Sequence, residues 1–363
     1  IPNNDNQEYL ELLRKSAQRI IVFPYGWWKK NVAIDKDVVE GFSRIITENK
    51  IDAVHVNTIM LREPLIAARQ FSIPSIVHVR ELISHDQALC EHIGKSSEKI
   101  VEQVIKSADY IYANSFATAK CFPKKNATIV VPNTIDVNAF DIENKIDPNK
   151  INIAMISSNI PKKGIYDFIE VARLLQHELK NVRFLLVGPE NKHIQALRLK
   201  REHGNIPANI EFTGYFDEPI DAIENANIVL SLSHFQESFG RTVAEAMASR
   251  RPVVAYDWGA LSELINDGKS GYLVPYRDTQ AVADQLKKLC KAPSLIIEMG
   301  HKGREIILER FDKINYSRRL SLAYSKILNY TFNKDSFVNL PTQNDPINLD
   351  KNRIKVSVIV PNY

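Results

Sequence analysis

Cysteine is scarce in this chain of 363 residues: Cys90, Cys121 and Cys290 stand far apart. Neither a disulfide framework nor a zinc site is indicated, and a reducing, cytoplasmic setting fits such usage. Long apolar runs are missing too, since no stretch approaches the roughly 18 residues that a membrane-spanning helix needs. Charge of one sign is not in excess, with 47 Lys and Arg against 43 Asp and Glu, a formal net charge of +4. That balance permits contact with phosphates or an anionic membrane surface and does not call for nucleic acid. Several catalytic signatures are absent. No GxGxxG follows a strand, so there is no dinucleotide fingerprint. No HExxH and no nucleophile elbow occurs. Asp267-Gly268-Lys269-Ser270 lacks the Gly that a P-loop places ahead of it. Asp35-Lys36-Asp37 spells a DxD metal motif, but it stands at a helix start, where capping accounts for Asp. No metal site is expected.

The apolar fraction of 44% and charged fraction of 25% are those of an ordinary soluble protein, and the length suffices for two domains with separate cores. The first half alternates strand and helix patterns. Strands are expected at Arg19 to Phe23, Ala53 to Val56, Ser75 to Val79, Asp109 to Ala113 and Thr128 to Val131, with helices at Asp37 to Glu48, Pro64 to Gln70 and Ser97 to Ser107. Ile- and Val-rich runs bounded by helices argue for α/β architecture with parallel sheets covered on both faces. The second half repeats the pattern from Ile151 and closes on helices at Thr279 to Leu289, Ser294 to Arg310 and about Asn315 to Leu328. Residues 1–148 and 149–330 are therefore expected as two domains. Residues 331–353, rich in Asn, Asp, Pro and Lys, have linker composition. Residues 354–363 resemble one β-branched strand and are expected to open a further domain. The chain begins Ile1-Pro2-Asn3-Asn4, without initiator Met or signal-like segment, and is expected to be a piece of a longer protein.

Two stretches carry chemistry. The first runs Glu237-Ser238-Phe239-Gly240-Arg241-Thr242-Val243-Ala244-Glu245, after a buried strand at Ile228 and ahead of an apolar helix. Strand, turn and helix expose backbone N–H groups at a helix N-terminus, where anions bind. Glu237 at the turn and Glu245 in the helix are separated by up to about 12 Å, a span that a nucleotide-sugar fits. Taken alone, two such residues are better explained by a surface loop position for Glu237 and an ion pair of Glu245 with a nearby Lys or Arg. The second stretch, Ile156 to Gly164, sets Lys163 at another helix start, an electropositive end where Lys is unfavourable unless an anion is bound.

Lys163-Gly164, Glu237 and Glu245 eight residues apart, and Gly259, Glu263, Gly268 and Gly271 in the following loops resemble the GT4 glycosyltransferases, retaining enzymes of the two-Rossmann-domain GT-B architecture. The match covers most of residues 50 to 325. The resemblance implies that Glu245 accepts hydrogen bonds from ribose hydroxyls, that Glu237 with the N–H groups of Phe239 and Gly240 holds the transferred sugar, and that Lys163 stabilises the diphosphate. Ser238, Gly164 and the backbone at Gly214-Tyr215 complete the implied donor site, Tyr215 lying by the base. No cofactor or metal is implied. UDP- or GDP-sugar is the implied donor, and a glycan or lipid-linked glycan the acceptor, in surface polysaccharide synthesis. Alternatives of the same fold are a nucleotide-sugar epimerase and a non-catalytic binding module that scaffolds a partner domain.

This sequence departs from the family at three places. An Arg often found shortly before the Lys is here Ser158, with Arg241 as a possible substitute. A His often found after the strand at Ser75 to Val79 is replaced by Arg80, with His78 just before it, so that His78, Arg80 and Glu81 are the acceptor-side candidates. The family's first strand would precede Ile1, which predicts an exposed sheet edge or an incomplete acceptor site. Lys355 to Tyr363 resembles the opening strand of a GT2 transferase and suggests a second transferase module. Tyr25-Gly26-Trp27-Trp28-Lys29-Lys30 sets aromatics beside cations, either for peripheral membrane contact on the inner face of the cell membrane or as local packing.

Overall fold

The computed structural model describes residues 1–123, 128–328 and 356–359. They form two compact units: Ile1–Val131 with the described residues from Ser317 on, and Pro132–Tyr316. The first unit opens with α1 (Gln7–Ser16) and α2 (Lys36–Asn49), then β1 (Ala53–Val56), α3 (Glu63–Gln70), β2 (Ser75–Val79), α4 (Gln87–Ile93) and α5 (Ser97–Ser107). It continues with β3 (Tyr110–Ala113), α6 (Phe116–Ala119) and β4 (Thr128–Val130). The second unit holds β5 (Ile151–Ile156), α7 (Ile165–Leu175), β6 (Val182–Val187), α8 (Lys192–Glu202), β7 (Ile210–Gly214), α9 (Pro219–Glu224) and β8 (Ile228–Ser231). After these come α10 (Arg241–Ala248), β9 (Val253–Tyr256), α11 (Leu261–Leu264), β10 (Gly271–Val274), α12 (Thr279–Lys291) and α13 (Pro293–Phe311). α14 (Lys313–Leu328) leads back to the first unit, which β11 (Val356–Ile359) completes.

Both sheets are parallel throughout. The first has the order β11-β1-β2-β3-β4, the second β10-β9-β8-β5-β6-β7. Their strands read as near-continuous apolar runs because helices cover both faces. In the second unit one face packs Ile153, Phe168, Phe184 and Leu286, and the other Ala154, Val229, Met247 and Ile307.

The units divide the chain differently from the expected boundaries at 148 and 330. Ile135, Val137 and Phe140 are buried in the core of the second unit, and Asn144 donates to the carbonyls of Asn227 and Arg250 at 2.9 and 3.1 Å. These contacts draw residues 132–148 into that unit. At the other end, Tyr324 of α14 meets His55 of β1, Oη to Nδ1 at 2.5 Å, so the end of α14 belongs to the first unit. Arg19–Phe23 forms no strand. Its backbone pairs with Ile1 instead, Ile1 N to Ile21 O and Phe23 N to Ile1 O, both at 2.9 Å. The expected exposed edge of the first sheet is covered by β11, which runs parallel to β1 from Ala53↔Val356 to Val56↔Ile359 and buries Ile359 in the first core. It thus stands as an edge strand of the first sheet, where a separate domain was expected. The expected linker at 331–353 lies outside the described residues.

Asp35 caps α2, its Oδ1 accepting from the N–H groups of Asp37 and Val38 at 3.0 and 3.2 Å. Asp37 lies in the first turn of α2, where a negative charge suits the helix N-terminus. Asp35→Ala is expected to destabilise the first unit by about 1 kcal/mol in urea unfolding, with nucleotide affinity unchanged.

Candidate active site

The order of the second sheet reverses at β5 and β8, which are hydrogen-bonded neighbours although α7, β6, α8, β7 and α9 lie between them in the chain. At such a switch point the two carboxyl ends send their loops to opposite sides and leave a crevice. Residues 157–164 leave β5 and residues 232–240 leave β8, and between them lies a cavity of about 510 Å³. Ser158, Lys163, Tyr215, Glu237, Gly240, Arg241 and Glu245 all line it. Six of the donor-side candidates thus converge from four separate loops and helices, together with Ser158, the departure from the family pattern.

Lys163 ends a single 3₁₀ turn, Pro161–Lys163, just before α7. Its Nζ lies 2.8 Å from Glu237 Oε1 and 4.4 Å from the ring centroid of Phe235. The same Glu237 oxygen accepts from Ser233 Oγ at 3.0 Å. The two charged side chains are about a quarter and a fifth exposed, 24% and 20%. Such partial burial keeps the pair in contact while its heads stay open to the cavity. The Glu237 backbone is held as well, by the N–H of Ala260 donating to its carbonyl at 2.8 Å and by a bridge to Gly259.

α10 begins at Gly240 in the left-handed region, φ 88°, with no side chain capping it. Its first N–H groups are therefore left for a ligand, and Gly240, Arg241, Thr242 and Val243 line the cavity at that point. Phe239 turns inward, 4% exposed, and packs on Phe311. Its side chain anchors the turn while its backbone stays with the loop. Glu245 is 5% exposed, and burial holds its carboxyl above the usual 4.5. Arg241 opposes that shift, its Nε donating to Glu245 Oε1 at 2.7 Å. In this structure Arg241 is thus the partner of Glu245, a different placement from the substitute for the Arg missing at Ser158.

The acceptor-side candidates lie in the first unit. His78 is wholly buried in β2, its Nε2 3.1 Å from Val131 O, and burial with Arg80 nearby pushes its pKa well down. It is a core residue and lines no surface. Arg80 Nε donates to Asn57 Oδ1 at 2.9 Å at the carboxyl ends of β1 and β2. Glu81 accepts from Thr58 Oγ1 at 2.8 Å and from the Arg80 N–H at 2.9 Å, and desolvation raises its pKa. The aromatic stretch at 25–30 packs locally: Trp28 is buried beneath the Arg62 guanidinium, and Tyr25 meets Phe42. Among the described residues no helix is long and apolar enough to cross a membrane.

One cluster was missed in the sequence. Asp167 of α7, His234 of the loop after β8 and Tyr256 of β9 converge in one hydrogen-bonded cluster. They come from three elements without fixed spacing, so only the nearness of His234 to Glu237 hinted at them.

Residues 150–292 match the family described as glycosyl transferases group 1. The chain is 29% identical over 226 residues to the trehalose synthase of Pyrococcus horikoshii, spanning 56% of this chain and 53% of that protein. It is 32% identical over 226 residues to the poly(ribitol-phosphate) alpha-N-acetylglucosaminyltransferase of Staphylococcus aureus, spanning 57% of this chain and 44% of that one. The chain covers about half the length of these curated relatives. Among solved structures, Anabaena HepE in complex with UDP superposes with a TM-score of 0.73 at 20% identity, over 88% of this chain and 89% of the other. A glycosyltransferase from Rickettsia africae gives 0.72 at 18% identity, over 89% and 88%. Identities this low speak for the fold alone, two parallel-sheet α/β units of the GT-B type. Residues 150–292, the stretch that matches the group 1 glycosyl transferases, contain the whole cavity with Lys163, Glu237 and Glu245.

Proposed function

We propose that this chain carries a retaining glycosyltransferase that moves a sugar from a nucleoside diphosphate to a glycan or lipid-linked glycan in surface polysaccharide synthesis. The observation that carries the reading is the Lys163–Glu237 pair set beside the uncapped N-terminus of α10, with Glu245 in the same cavity. In this reading the diphosphate lies against the α10 N–H groups and Lys163, which supply its counter-charge without a metal. Glu237 accepts hydrogen bonds from the sugar hydroxyls, and Glu245 from the ribose. The acceptor hydroxyl oxygen bonds the anomeric carbon on the face the diphosphate leaves. The C1–O bond to the β-phosphate breaks with its electron pair, and that phosphate oxygen takes the acceptor's proton. Arg80 and Glu81 are the acceptor-side candidates of the first unit. A UDP- or GDP-sugar is the proposed donor, at the inner face of the cell membrane. UDP is bound by the fold neighbour HepE.

The test is a thermal-shift screen of nucleotide-sugars, in which ligand at 100 times Kd adds about 2.7 kcal/mol, followed by product analysis with glycan acceptors. Nucleoside diphosphate released together with an extended glycan supports transfer. Isomerised or hydrolysed donor without extension supports an epimerase, and binding without turnover a scaffold module.

Arg241→Ala supplies a pH signature. Removing the guanidinium removes the contribution that lowers the Glu245 pKa, so its carboxyl titrates at a still higher pH. Nucleotide affinity that needs the carboxylate is expected to fall away earlier on acidification than in wild type. Fold stability moves the other way: a raised folded-state pKa means that the native state binds the proton more tightly than the unfolded one. Stability is therefore gained as pH falls through that pKa, in a window above 4.5. Titration calorimetry of nucleotide binding beside thermal melts, both against pH, checks the opposite signs.

A further inference from the structure

None of Asp167, His234 and Tyr256 lines the cavity, yet their bonds reach both loops that form it. Asp167 Oδ2 lies 2.8 Å from His234 Nε2 and 2.6 Å from Tyr256 Oη. A carboxylate oxygen only accepts, so Nε2 carries the hydrogen and Nδ1 is the acceptor in the neutral ring. Arg277 Nη2 stands 3.4 Å from that Nδ1, a donor facing an acceptor. The backbone of His234 is tied too: its N–H donates to Lys162 O at 2.8 Å, and its carbonyl accepts from Tyr276 Oη at 3.3 Å.

Each tie fixes one side of the charged pair. Lys162 precedes Lys163, so the His234 N–H holds the lysine turn to the glutamate loop. Asp167 lies in the first turn of α7, which follows that lysine turn, so the ring bond repeats the attachment at a second point. The residue after His234 is Phe235, whose ring lies under the ammonium groups of both Lys162 and Lys163, at 5.1 and 4.4 Å. Three residues beyond His234 stands Glu237.

We infer that His234 is a positioning residue: through Asp167, Arg277 and the Lys162 carbonyl it sets where Lys163 stands against Glu237. The inference rests on the proposed transferase reading. Lys163 carries a long flexible stem, and its ammonium is useful only where negative charge develops. A displacement of about 1 Å from outside the reacting centre can lower a rate 10²-fold. Of the groups proposed to hold the nucleotide, Glu245 and the α10 N–H groups depend on none of these bonds, so binding is expected to change less than the rate.

The test compares wild type with His234→Phe, His234→Gln and Asp167→Asn. The substrate is the nucleotide-sugar giving the largest shift in the screen above, and its nucleoside diphosphate is the binding probe. His234→Phe keeps a ring and removes both of its hydrogen bonds. It is expected to lower kcat about 10–100-fold while KM and nucleoside-diphosphate Kd stay within about threefold. His234→Gln, whose amide N–H can still donate to Asp167, is expected to restore most of the rate. Asp167→Asn keeps the packing and is expected to show the same loss confined to kcat, which carries the test if His234→Phe does not fold. An unchanged kcat in a wild-type-like fold overturns the inference and leaves the transferase reading standing. So does a parallel loss of kcat, diphosphate affinity and melting temperature that Gln does not rescue, since that is general unfolding of the loop. A wild-type chain that binds no nucleoside diphosphate overturns the transferase reading itself, and the inference with it.

Discussion

Lys163→Ala is expected to lower sugar transfer by about 10²–10³-fold, equivalent to about 3–4 kcal/mol at the transition state. The ammonium faces a carboxylate, 2.8 Å from Glu237, and stands over the Phe235 ring. These contacts hold it where a leaving diphosphate would gain charge, so little reorganisation accompanies the reaction. The loss is expected mainly in kcat, because ground-state nucleotide contacts through Glu245 and α10 remain. Lys163→Arg is expected to rescue poorly, since a planar guanidinium cannot take the place of a compact ammonium between Glu237 and Phe235. Glu237→Ala is expected to cost a similar factor. The double variant should lose hardly more than either single one, because each removal leaves the other charge half-buried without its partner. Steady-state kinetics on the four proteins checks this cycle. Additive losses would show that the two residues act apart, and unchanged transfer by Glu237→Ala would sink its assignment to the sugar.

How much of this was legible in the sequence follows from where each signal lies. β8, its turn and α10 could be read from residues 226–248 because the buried strand and the apolar helix are continuous there, and Glu237 and Glu245 sit within the same run. β5 and α7 were as plain, with Ile and Met in the strand and Phe168, Val171 and Leu175 along one helical face. β7 was not legible: it is the edge of its sheet, with Glu211 exposed and Phe212 to Gly214 half-buried, so its apolar pattern is diluted. Arg19–Phe23 shows the converse error. Its Ile-Ile-Val run has strand propensity, but the backbone groups find Ile1 and no neighbouring strand. Propensity is decided by which edge is within reach. His78 was a site candidate as the His two residues before Arg80, the position that spacing points to, and burial in β2 makes it part of the core. Asp167, His234 and Tyr256 lie 67 and 89 residues apart along their two bonds, a convergence that only the folded sheet creates.

Gly164→Ala is expected to be among the most damaging single-methyl changes in the second unit. Gly164 has φ +84°, and a Cβ there would stand 2.0 Å from Leu232 O and 2.7 Å from Leu232 C. Those atoms are backbone at the end of β8, so no rotamer change relieves the overlap. Either α7 or the loop after β8 must shift, and both carry halves of the site, Lys163 ahead of one and Glu237 along the other. Left-handed strain contributes about 1 kcal/mol, and forced backbone movement adds about 1–3 kcal/mol more. A total of about 3 kcal/mol lowers the melting temperature of a unit of this size by roughly 10 °C. Gly268→Ala is the control. It has a similar φ, +71°, but a Cβ there meets nothing within 4 Å, so only the strain of about 1 kcal/mol is expected. Calorimetric melts and nucleotide binding on the two variants separate strain from collision. Equal destabilisation would mean that the close approach to Leu232 has no energetic weight. A much larger loss for Gly164→Ala, with nucleotide affinity lost alongside, is the result expected if this contact sets the spacing between the two loops of the site.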